Sequence, residues 1–190
     1  MPLSVRPIGL FSEARRVVTE AKAQPNILWK RVLDVSRQSK PDLRSLDFEI
    51  GSRLATQQLQ SIVAFQPLPN NLSFVYFGLF DLVDHGNDPP RSRVGCYFAG
   101  GTEFRAGDAL DAGELSYFPK KRFLNLDILD RIKELGLSVP ARQQLFDHVI
   151  LFGAAAILAK NAVANIGIRA PLYVGFDSGD YALVSAGSFR

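Results

Sequence analysis

One cysteine, Cys96, stands in 190 residues, and a lone thiol excludes an internal disulfide framework. Histidine is almost as scarce, with only His85 and His148. Neither an H-E-x-x-H helix nor a cysteine-rich metal pattern occurs, so the strong metal signatures are absent. No P-loop or dinucleotide glycine pattern follows a strand, and GCYFAGG has the wrong spacing, so no cofactor is expected. No stretch reaches the roughly 20 apolar residues a membrane-spanning helix needs; the nearest, Val149 to Ala159, is interrupted by Lys160 and Asn161. The opening MPLSVRPIGLF lacks a charged segment followed by an apolar run and a small-residue cleavage site. The expected setting is therefore a reducing cytoplasm, with no membrane partner.

What is present is ordinary globular usage, 47% hydrophobic and 22% charged, without repeats or low-complexity tracts. The length suits a single domain over 1–190: a helical part at about 12–64 and a sheet-and-helix core at about 72–186. The net charge of +3 is uneven, with ten Lys/Arg against six Asp/Glu in residues 1–60. A nucleic-acid binder shows a denser basic stripe than this.

The pattern predicts an α+β fold. Ser12 can cap a helix through Ala23, and Pro25 opens a second, amphipathic one whose Ile27, Leu28, Val32 and Val35 share a face up to Pro41. LDFEI alternates as a short strand, and a helix follows from Ser52 to Ala64. Leu72 to Val83, aromatic and apolar on both faces, is a strand for the middle of a covered sheet; Ser92 to Gly100 returns antiparallel as a hairpin. LSYFPKKRFL holds a short strand before Leu124, and Leu126 to Gly136 is a helix with Leu126, Leu129, Ile132 and Lys133 at helical spacing. A further helix over 140–159, apolar nearly all round, is the expected centre of the core. PLYVGF and YALVSA form a second hairpin around Ser178 and Gly179. The whole reads as N-terminal helices and a mostly antiparallel sheet with two hairpins, packed on that central helix.

Chemistry concentrates in DLVDHGNDPP. Asp81, Asp84, His85 and Asp88, with His148 from the FDHV stretch, offer the oxygen and imidazole donors of a divalent-metal site that could activate water. The simpler reading is a polar turn, since Asp and Asn bond to nearby backbone and Gly86 supplies positive φ. Asp81 alone resists that reading, because it interrupts an otherwise apolar strand. A second candidate is YFPKKRF, where Tyr117, Lys120, Lys121, Arg122 and Phe123 set aromatics beside cations, as single-stranded nucleic acid or an acidic protein surface would require. Cys96 shares a strand face with Val94 and Phe98, which marks an inert buried thiol rather than a nucleophile.

With no complete catalytic signature, the reading is a non-enzymatic protein-binding module: an adaptor, inhibitor or immunity-type partner using charged loops at 81–90 and 101–114 or the YFPKKRF patch. A metal-dependent hydrolase at 81–88 with His148 is the alternative. Single-stranded nucleic-acid binding through 117–123 is a third.

Overall fold

The computed structural model describes residues 46–84, 91–102, 115–137, 150–176 and 181–185. It is an α+β arrangement of three helices and one mixed sheet among those residues. In chain order the elements are α1 (Phe48–Phe65), β1 (Phe74–Asp84), β2 (Arg91–Gly101), β3 (Phe123–Leu124), α2 (Asp127–Leu137), α3 (Leu151–Asn165), β4 (Leu172–Phe176) and β5 (Tyr181–Ser185). The sheet order is β3-β2-β1-β4-β5. The expected helices between Ser12 and Pro41 lie outside the described residues.

Sequence alternation over LDFEI suggested a strand, and the structure corrects this. Asp47 takes the N-cap instead, its Oδ1 accepting the Ile50 N–H at 2.9 Å, and Glu49 sits in the first turn where a negative charge suits the helix dipole. Gly51 is inside the helix rather than at a boundary. A Cβ there would sit 3.1 Å from Leu158 Cδ2 and 3.3 Å from Ile128 Cγ2, so the bare backbone lets α1 approach both other helices. Gly51, Ala55, Leu59 and Ile62 form its buried stripe.

Helix α3 is buried without a break from Leu151 to Ala159, in keeping with its apolar circumference. It does not stop at Lys160. Asn161 Nδ2 donates to Ser52 Oγ at 3.0 Å and Asn165 Nδ2 to Thr56 Oγ1 at 3.2 Å. The four-residue spacing on both helices stacks these bonds on one side of each, so Asn161, which interrupts the apolar run in the sequence, joins Asn165 in fastening α3 to α1. The helix ends where Gly167 adopts φ 75°, with Gly167 N–H donating to Ala164 O and Ile168 N–H to Val163 O, a Schellman turn.

Strand β1 lies in the sheet interior. It pairs antiparallel with β2 from Phe74↔Gly101 to Asp84↔Arg91 and parallel with β4 from Val75↔Leu172 to Leu79↔Phe176. The β2–β3 and β4–β5 pairs are antiparallel, so the sheet is mostly antiparallel with one parallel seam. Val75, Phe77 and Leu79 face the helices, joined by Val94, Cys96 and Phe98 of β2. On the other face Phe74, Tyr76, Ala99 and Tyr173 cluster with Leu115.

Two cross-strand pairs on that second face set an aromatic ring over a glycine: Gly78↔Tyr97 and, inverted, Phe80↔Gly95. A Cβ on Gly78 would sit 2.1 Å from the Tyr97 ring, and one on Gly95 would sit 2.2 Å from the Phe80 ring. Each ring occupies the volume its partner's side chain would need. Replacing Gly78→Ala should therefore lift Tyr97 off the sheet and lower stability by about 1–3 kcal/mol. The midpoint of urea unfolding measures this, and an unchanged midpoint would refute the packing account.

Candidate functional site

Asp81 comes first because it breaks the apolar pattern of β1. Its register places it on the helix side of the sheet, beside α2, where its carboxylate pairs with the Lys133 ammonium. The two partners differ sharply in exposure, with side chains 4% exposed for Lys133 and 71% for Asp81. A buried ammonium needs a counter-charge or it forfeits its hydration, and the strand end supplies one.

The same helix is fixed a turn earlier. Asp130 accepts the Val94 N–H at 2.7 Å through Oδ1, while its Oδ2 accepts from Arg93 Nε at 2.9 Å and Nη2 at 2.8 Å. Arg93 also donates to Asn125 Oδ1 at 3.3 Å. Behind this, Gln58 of α1 treats Asn125 as a strand would: its Nε2 donates to Asn125 O at 2.8 Å and its Oε1 accepts the Asn125 N–H at 2.7 Å. These contacts make Asp81 part of the joint between α2 and the sheet. Asp84 closes β1, and its side chain, like His85, Asp88 and His148, lies outside the described residues. Among the described residues no three His, Cys, Asp or Glu side chains gather as a metal site.

The second candidate is drawn together by the fold. Tyr117 bridges to Gly100 through paired backbone bonds of 2.9 and 3.0 Å. It is buried, and its hydroxyl donates to Gln66 O at 2.6 Å; burial raises its pKa above the ordinary tyrosine value. Gln66 also accepts the Lys120 N–H at 3.1 Å, and Arg122 O accepts the Phe98 N–H at 2.8 Å. The 117–122 segment is thus suspended between the end of α1 and β2, with Tyr117 as its anchor. The expected short strand shrinks to Phe123–Leu124, because Pro119 and the turn closed by Arg122 N–H on Pro119 O occupy the preceding residues.

Outward from this anchor stand Lys120, Lys121 and Phe118, with Phe123 57% exposed. Phe65, at the end of α1 and 54% exposed, joins them although the sequence places it far away. Lys121 Nζ lies 4.5 Å from the Phe65 ring centre, and the Arg122 guanidinium lies 4.8 Å from that of Phe123 and 5.7 Å from that of Phe118. The result is a surface of three phenylalanines interleaved with three cations. Among the described residues no carboxylate pairs with Lys120, Lys121 or Arg122. The 103–114 part of the acidic loop lies outside the described residues.

Cys96 is buried in the main core, and burial pushes its thiol from an ordinary 9.0 up to about 12. This is the inert thiol that its strand neighbours implied. Comparison with protein-family models, with curated proteins and with solved structures finds no match. Among the described residues no helix is long and apolar enough to cross a membrane.

The asymmetry of the Lys133–Asp81 pair gives a direct test. Asp81→Asn leaves the buried ammonium without its counter-ion and should cost about 1 kcal/mol, the lower end of such losses because water screens the exposed side. Lys133→Met removes the buried charge and should cost less. Equal or reversed losses in chemical unfolding would refute this description of the joint. The native Cys96 thiol should resist iodoacetamide at about pH 8 and react once urea unfolds the chain; mass spectrometry reads both. Its contribution to stability should be whole below about pH 9, where the unfolded thiol begins to ionise, and fall away as pH rises toward about 12.

Proposed function

We propose that the chain is a non-enzymatic protein-binding module of the adaptor, inhibitor or immunity type, acting in a reducing cytoplasm and engaging an acidic partner. Its contact surface is formed by Phe65, Phe118, Lys120, Lys121, Arg122 and Phe123. The observation that carries this is the absence, among the described residues, of any carboxylate paired with the three cations, set beside three exposed aromatic rings. Exposed aromatics and arginine supply much of the affinity at protein interfaces, and unpaired cations steer a complementary surface toward them.

Single-stranded nucleic acid is less well supported. Bases would need ring faces to stack on, and here Lys121 and Arg122 lie over those rings; Tyr117 faces inward. The metal-dependent hydrolase is weaker still on what is described, since Asp81 is committed to Lys133.

The test uses charge reversal. A partner captured by the wild-type chain should associate about tenfold more slowly with a Lys120→Glu, Lys121→Glu variant, and more slowly with wild type as salt rises. Both proteins should melt at the same temperature, since these side chains are exposed. A partner whose association rate is unaffected by the reversal removes this surface from the assignment.

A further inference from the structure

The cationic surface borders an apolar groove, and the two meet at Phe123. Strand β3 pairs with β2 only at Cys96↔Leu124 and Tyr97↔Phe123. Beyond that point the outer side of β2 carries no strand among the described residues, and a groove of about 390 Å³ opens there, lined by Phe80, Leu82, Gly95, Phe123 and Leu124 with Arg93 at its side. Its floor is the Phe80 ring, which can lie against the sheet because Gly95 has no side chain. Leu82 and Phe123 are both exposed. Phe123 packs edge-on to Phe80 at 5.9 Å between ring centres and carries the Arg122 guanidinium on its ring.

The polar groups around the groove restrict what can occupy it. The Val94 N–H, which would pair with an added strand, already donates to Asp130, so that donor is withdrawn from backbone pairing at this edge. Arg93 is likewise engaged by Asp130 and Asn125. Among the described residues, what remains for a ligand is apolar surface in the groove and the unpaired positive charge beside Phe123, from Arg122 to Lys120.

We propose that this groove seats one large apolar side chain of an acidic peptide segment, whose carboxylates lie toward Phe123 and pair with Arg122, Lys121 and Lys120. This rests on the protein-binding reading and specifies the chemistry of the partner: an apolar anchor with acidic residues to one side. The cations attract the segment, and the groove selects among acidic segments by the anchor.

A short fluorescent peptide with a run of glutamates next to a leucine serves as probe, alongside one with serine for the leucine, one with glutamines for the glutamates, and an oligothymidine. Fluorescence anisotropy should show the glutamate–leucine peptide binding about tenfold tighter than its serine counterpart, the lower end of what burying a leucine supplies. Leu82→Ser, at an exposed position, should abolish that preference and leave serine-peptide binding unchanged. Lys121→Glu should weaken both, and the glutamine peptide should bind least. Equal binding of the leucine and serine peptides, or a preference that survives Leu82→Ser, overturns the groove while the acidic-partner reading stands. No binding of either acidic peptide overturns both. Oligothymidine binding that displaces the peptides replaces both with nucleic-acid recognition.

Discussion

Strand β1 must be covered on both faces, and much of the fold follows from meeting that requirement. On one face Val75, Phe77 and Leu79 meet the apolar sides of the helices. On the other, Phe74 and Tyr76 are buried with Ala99, Tyr173 and Leu115, while Tyr97 and Phe80 lie over glycines of the opposing strand. Cross-strand contacts of this kind fix register, because a slip of one residue would bring each ring against a side chain. Toward its end β1 passes from hydrophobic cover to charge, where Asp81 meets the one buried lysine among the described residues.

That joint explains two residues that each look misplaced alone. An aspartate in an apolar strand and a lysine on the apolar side of a helix are both costly until they meet. Their pairing, with Asp130 bound to both side chain and backbone of β2, fixes how α2 sits against the sheet. Tyr117 and Gln66 do comparable work at the other candidate surface. In both places buried polar atoms set the geometry and the exposed side chains inherit it.

Strong local patterns were legible in the sequence. The aromatic β1, its return along β2, the spacing of Leu126, Leu129 and Ile132, and the apolar α3 all read correctly because burial imposes their periodicity. Three features were not. Asp47 as an N-cap overrode the alternation of LDFEI. Lys160 and Asn161 looked like the end of the apolar run, whereas Asn161 bonds to Ser52 and, a turn on, Asn165 to Thr56. The parallel β1–β4 pairing joins distant parts of the chain, which local pattern does not encode. At the candidate surface, YFPKKRF was visible as a motif, yet Tyr117 turned inward, and Phe65, Phe80 and Leu82 could be added only through tertiary packing. The paired signals FGLF and VGCY, each a glycine among large side chains, were the available hint that rings lie over the sheet.

The Schellman turn at Gly167 has a consequence for how the chain assembles. By ending α3 abruptly it delivers β4 within a few residues, so α3 and β4 form a locally connected half just as β1 and β2 do. Val75 and Leu172 then meet across the parallel seam, which among the described strand pairings joins the residues farthest apart in the chain and so carries the largest loop-closure cost. Substitutions at Val75 or Leu172 therefore bear on the pairing of greatest sequence separation, and those within the β1–β2 hairpin on a more local one.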